Sequence, residues 1–152
     1  PITPAVLKAV VESCPNVRGI KDSSMDFMVL LNYQCVIEDD SFEIITGNDA
    51  QVLTALQAGA AGGVIAAASV FPKLCAEIWD KFRKGDLEGS REAQTKVLKL
   101  RGLFRAVMPV MSHKKALELQ GFQMGPARFP FRDLTEEESS RVEMTIRGLG
   151  LL

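Results

Sequence analysis

The sequence predicts an α/β domain built on a parallel sheet, and three observations carry that prediction. Short apolar runs alternate with stretches of helical periodicity, in the order helix, strand, helix, strand, helix, strand through residue 70. None of the strand-like runs alternates strictly between polar and apolar, as expected of strands buried on both faces. The spacing between them suits right-handed βαβ crossovers. Two regions follow: residues 1–70 carry the sheet, and residues 71–152 are all helical.

Each element has a local cause. Thr3 can cap a helix and Pro4 suits its first position. Val6, Leu7, Val10 and Val11 give that helix an apolar face, and Cys14-Pro15-Asn16 stops it. A strand is expected over Val17 to Ile20, with Lys21 at its end. Ser24-Met25-Asp26 starts a helix to about Glu38, with Phe27, Leu30, Leu31 and Ile37 inward. Phe42 to Thr46 is a β-rich run, ended by the turn Gly47-Asn48-Asp49. A short helix covers Ala50 to Gln57, with Val52, Leu53 and Leu56 inward. Gly63 to Ala66 is the third strand, and its flanking small residues imply close backbone approach.

Beyond Val70, Phe71-Pro72 begins a helix through Arg83, with Leu74, Ile78, Trp79 and Phe82 on one side and Gly85 as its stop. A longer helix runs from Leu87 to Arg105 with Ala93, Val97, Leu100 and Phe104 in register. Pro109 interrupts the pattern, and Lys114 to Gln120 is a short helix. Residues 126–131 form a proline-fixed extended segment. Thr135 and Glu138 make a capping box for the last helix, which runs to about Leu149.

Bulk properties exclude several function classes. The 152 residues are 47% hydrophobic and 24% charged, with a formal net charge of −1. That balance gives no electrostatic footprint for nucleic acid or an anionic membrane. No apolar run is long enough to span a bilayer. Cys14, Cys35 and Cys75 form no close pair and read as free buried thiols in a reducing, cytoplasmic compartment. With His113 the lone histidine, a zinc site is not expected, and His113 is assigned no role. A chain that starts at Pro1 is expected to be processed or part of something longer. Three parallel strands leave open apolar edges, so completion by another chain or an earlier segment is expected.

The stretch Asn16 to Ser24 is the chemical focus. An apolar run ends in a lysine and breaks into small polar residues, the pattern of a strand delivering a lysine to a sheet rim. Partial desolvation there would lower the lysine pKa and favour attack on a carbonyl. The bland alternative is a solvated charge at a strand end.

Gly19-Ile20-Lys21-Asp22-Ser23-Ser24 resembles the Schiff-base lysine motif of the dihydrodipicolinate synthase / N-acetylneuraminate lyase family. Thr46-Gly47-Asn48-Asp49 is similar to that family's turn after the next strand, and Gly59 to Ile65 to its glycine-rich strand. Gly125 to Pro130 with Leu134 to Glu138 resembles its C-terminal signature. The resemblance covers the C-terminal half of the family's length. It implies a (β/α)8 TIM barrel, of which this chain is strands six to eight plus a helical extension.

It further implies a class I aldolase or lyase acting on pyruvate or a 2-keto-3-deoxy acid, with no metal or organic cofactor. Lys21 would form the imine. Gly47 and Val64 would line the pocket, largely through backbone atoms, and Asn48 would contact substrate. Homotetramers are common in the family, so a homo-oligomer is expected. The family's carboxylate-binding Thr/Ser pair and its catalytic tyrosine would lie before Pro1, so the N-terminal half of the barrel is needed. Tyr33 does not match that motif and reads as packing, and Asp22 reads as structural. Met25 replaces a common glycine, which bears on how the lysine is presented. The alternative function is a non-catalytic half-barrel acting as a structural or interaction protein.

Overall fold

A computed structural model describes residues 2–152. Three strands, β1 (Gly19–Asp22), β2 (Glu43–Thr46) and β3 (Gly62–Gly63), form one sheet in the order β1-β2-β3. Both pairings are parallel, with Lys21 opposite Ile45, and Ile45 opposite Gly62. The expected α/β alternation is therefore present, with α1 (Pro4–Ser13), α2 (Phe27–Val36) and α3 (Val52–Gln57) between and before the strands.

Two strand boundaries differ from expectation. β1 starts two residues late because the Val17 N–H donates to the Cys14 carbonyl (2.9 Å), in the turn that ends α1. Lys21 thus lies within the paired strand. β3 is only two residues long. After Val64 donates its N–H to the Thr46 carbonyl (2.9 Å), the chain enters a 3-10 turn at Ala66–Ser69. Asp49 Oδ1 accepts the Ala67 N–H (2.8 Å), which bends the chain away from the sheet.

The two faces of the sheet differ sharply. Ile20, Asp22, Ile44 and Thr46 face the helices, where Leu7, Leu30, Tyr33, Phe42 and Ala55 pack around Ile44. Residues one step along point the other way. Of these, Gly19, Lys21 and Glu43 are exposed and Ile45 is half-buried. A side chain added at Gly62 would meet nothing within 4 Å. Among the described residues no element covers this face, although parallel sheets are ordinarily covered on both.

The helical region is formed by α4 (Pro72–Arg83), α5 (Leu87–Ala106), α6 (Pro109–Glu118) and α7 (Glu136–Gly148). Its core includes Ile78, Val97, Leu100, Val142 and Ile146, all fully buried, and continues into Val52, Leu56 and Ile65 from the sheet region. Gly85 adopts φ +79° between α4 and α5, a conformation that suits glycine. Thr135 and Glu138 form the expected capping box.

Several local expectations change. α2 starts at Phe27 with Asp26 as its cap, because Ser24 is held back by Asp22. Pro109 opens α6 rather than merely interrupting a helix, since the first helical position needs no N–H donor. His113 is consequently mid-helix. Trp79 is 37% exposed, with the Arg83 guanidinium 5.6 Å above its ring. The cysteines are free, but none is fully buried, and Cys35 is exposed on the outer side of α2 opposite Leu30 and Tyr33. Tyr33 is buried and its hydroxyl donates to the Ile2 carbonyl (2.7 Å), which fits a packing role. Burial pushes its phenol pKa up, with Asp22 adding to the shift. No helix among the described residues is long and apolar enough to cross a membrane.

Candidate active site

Lys21 lies at the C-terminal end of β1, one residue before the strand's last paired position. Its stem passes over Gly47. A Cβ built on Gly47 would come within 2.7 Å of Lys21 Cε and would also clash with Ser23 Oγ. Glycine leaves room there for the Lys21 stem and Ser23 where two strand ends approach closely, as the Gly47 N–H to Asp22 carbonyl bond demonstrates. The sequence pattern predicted a partly desolvated lysine. In this chain Lys21 is exposed instead, because it stands on the uncovered face of the sheet.

Asp22 follows on the opposite face and is 9% exposed. Its carboxylate accepts the Ser24 N–H (3.2 Å) and the Ser24 hydroxyl (2.7 Å). Those bonds fix the turn after the lysine, in keeping with a structural role. The next turn is built similarly. Asn48 is 5% exposed, and its Oδ1 accepts the Ala50 N–H at 3.1 Å. Its Nδ2 reaches across to the Ser24 carbonyl (3.4 Å) and to Met25 Sδ (3.8 Å). Asn48 therefore ties the two strand-end turns together.

Gln94 of α5 braces the same rim. Its Oε1 accepts the Leu53 N–H (2.9 Å) and its Nε2 donates to the Asp49 carbonyl (2.7 Å). Beside the rim lies a cleft of about 260 Å³. Ser23, Met25, Gly47, Asn48 and Asp49 form one wall; Arg101, Phe104 and Arg105 of α5, with Pro109 and His113 of α6, form the other. His113 stacks on Phe104 at 4.0 Å between ring centroids. Its Nδ1 meets the Pro109 carbonyl, while its Nε2 is buried without a partner.

Of the residues singled out from sequence, Lys21, Gly47 and Asn48 come together at one end of the sheet. Gly47 and Asn48 line the cleft, whereas Lys21 borders it from the sheet face. Val64 is 56% exposed and lies outside the cleft lining. Sequence reasoning missed Arg101, Arg105, Phe104 and His113. Two arginines at i and i+4 on an otherwise amphipathic helix were the available signal. Their partner, Met25, is 76 and 80 residues away in the chain. Among the described residues no group of three or more His, Cys, Asp or Glu side chains is arranged for a metal.

Comparison with known proteins places this geometry in a lineage. The model of the dihydrodipicolinate synthetase family matches residues 1–149. An uncharacterized DapA-like lyase of Halobacterium salinarum is 32% identical over 144 residues, covering 95% of this chain and 47% of that protein. A 4-hydroxy-tetrahydrodipicolinate synthase of Methanospirillum hungatei is 31% identical over 143 residues, covering 93% of this chain and 48% of that protein. In structure, the chain is similar to YagE of E. coli K12, a prophage protein of the dihydrodipicolinic acid synthase family solved in complex with pyruvate. There the TM-score is 0.90 at 22% identity, over 99% of this chain and 52% of YagE. The chain spans about half the length of the curated relatives it matches. Matched to the family's model over nearly its whole length, the chain belongs to the dihydrodipicolinate synthetase family.

Proposed function

We propose that this chain carries the imine-forming half of a pyruvate-dependent lyase or aldolase. Neutral Lys21 Nζ attacks the ketone carbon of pyruvate or a 2-keto-3-deoxy acid, and the carbinolamine takes up a proton on its hydroxyl and loses water to give a protonated imine. The iminium nitrogen then accepts the electron pair released when a neighbouring C–C bond breaks. In the other direction, loss of a proton gives an enamine that adds to an aldehyde. The observation that carries this reading is the packing of the Lys21 stem over Gly47, at the C-terminal rim of a parallel sheet beside a cleft.

The remaining parts of the proposal follow from the uncovered face. We assign β1, β2 and β3 to strands six, seven and eight of a (β/α)8 barrel whose interior is that bare face. Residues 1–70 are then the barrel part, and residues 71–152 its last helix and extension. The segment completing the barrel would desolvate Lys21 and supply the carboxylate-binding hydroxyls and a proton-relaying tyrosine. Gly47 and Val64 contribute main chain to the pocket, and Asn48 contributes an amide. A cytoplasmic homo-oligomer, a tetramer by family likeness, is the proposed working form.

The exposure of Lys21 favours one rival, a non-catalytic half-barrel that associates through its bare face. Trapping separates the two. The protein is incubated with pyruvate and sodium borohydride, and the adduct is mapped by peptide mass spectrometry. A reduced adduct concentrated on Lys21 supports imine formation. Labelling spread evenly over surface lysines refutes it; a folded protein with no adduct on Lys21 shows that this chain by itself does not activate the lysine, and leaves an incomplete barrel or the structural half-barrel.

A further inference from the structure

Met25 stands at the mouth of the cleft, 67% exposed, with its sulfur turned toward three N–H donors. Arg101 Nη2 lies at 3.4 Å, Asn48 Nδ2 at 3.8 Å and Arg105 Nη1 at 3.9 Å. A thioether is one of the weakest acceptors a protein offers. The donors converge on an atom that satisfies none of them well. The two guanidiniums sit one turn apart on α5, where like charges repel. Among the described residues neither has a carboxylate within 4.0 Å. Asp49 also lines the cleft, but its Oδ1 is occupied by the Ala67 N–H.

The distances have a second meaning. A charge-assisted hydrogen bond of about 2.8 Å to an oxygen leaves the central carbon or phosphorus roughly 4 Å from the donor. The sulfur now stands near that separation from Asn48 and Arg105, at 3.8 and 3.9 Å, and somewhat closer to Arg101, at 3.4 Å. We infer that Met25 Sδ occupies the position of an oxyanion. Asn48, Arg101 and Arg105 form a subsite for a carboxylate or phosphate at the end of the substrate remote from its ketone. The identity of that substrate, an anionic aldehyde or a 2-keto-3-deoxy acid with a second anionic group, rests on the Lys21 reading. The anion site itself does not. Met25 is unbranched, with several rotatable bonds, so it can swing out as the anion enters. It thereby sets which substrates are admitted.

The test uses the 152-residue chain with methyl-labelled methionine, titrated with inorganic phosphate and, separately, with acetate. The Met25 methyl resonance is assigned by its loss in Met25→Leu. It is expected to shift saturably with at least one anion; phosphate preference marks a phosphorylated substrate and acetate preference a carboxylate. Arg101→Gln and Arg105→Gln, which keep most of the stem, should each weaken binding about tenfold or more. Met25→Gly should tighten it severalfold by calorimetry, and serves where an arginine variant fails to fold. Absence of a saturable shift with either anion overturns the subsite, as does affinity unchanged in the folded arginine variants or in Met25→Gly. Lys21→Ala should leave anion binding intact while abolishing the pyruvate adduct. Failure of the aldolase reading and failure of the anion site therefore give different results.

Discussion

Gly47→Ala isolates the placement of the lysine from its chemistry. The added Cβ would overlap Ser23 Oγ, which must rotate away, and would sit 2.7 Å from Lys21 Cε and 3.0 Å from Ser23 Cβ. Ordinary carbon contacts begin near ~3.5 Å. The lysine stem must therefore move by about 0.8 Å, the difference between those values, and Ser23 by about half an ångström. The Gly47 φ is not among the positive-φ glycines, so alanine meets no backbone penalty. The flexible stem gives way cheaply, and lost chain entropy in the unfolded state offsets part of the cost, so stability should change by less than about 1 kcal/mol. Displacing a reacting group by about 1 Å can cost up to ~100-fold in rate. Borohydride trapping with pyruvate should thus fall ~10- to 100-fold while the thermal midpoint barely moves. Trapping at the wild-type rate, in a protein of wild-type stability, would show that the position of the stem over Gly47 does not matter.

Other perturbations test the supports around the site. Gln94→Ala removes both bonds that hold the rim turn to α5 and should cost about 1–3 kcal/mol in denaturant unfolding. Glu138 is held down to about 2, first by the bidentate Arg132 guanidinium and then by the Thr135 N–H. Its contribution should be present above the unfolded carboxyl value, ~4.3, and be lost as pH falls toward about 2. An NMR titration of its carboxyl carbon should move upward in Arg132→Gln. Burial pushes the Cys75 thiol up to about 11, with Asp49 adding to the effect. A proton is then retained in the folded state that the unfolded state has shed, so stability should decline from ~8.5 through about 11. At pH 8 a thiol reagent should label the exposed Cys35 well before Cys75.

The capping box was legible because it depends on residues close in sequence, the parallel order because strand-like and helical stretches alternate, and the turn residues Gly47 and Asn48 because their motif resembles the family's. Thr135 and Glu138 are three apart, and Asn48 is two residues from the end of β2. Errors arose where another group captures a backbone N–H at a strand end. Val17 is taken by Cys14, and Asp49 captures Ala67, so β1 starts late and β3 ends early. The second wall of the cleft left only a faint trace, the i and i+4 arginines of α5. Arg101, Arg105 and His113 reach the rim only through the packing of α5 and α6, which no local pattern encodes. Likewise, periodicity placed Trp79 inward, whereas the ring lies at the margin under Arg83.

The Gln94 brace has a consequence for how motion at the rim can be observed. The Leu53 amide hydrogen is given to Gln94 Oε1, a side chain on another element, and not to a carbonyl of its own helix. It can exchange with solvent deuterium only when that link opens. Its exchange rate is therefore a single-atom gauge of how often α5, which carries both arginines, parts from the start of α3, just after the turn that carries Gly47 and Asn48.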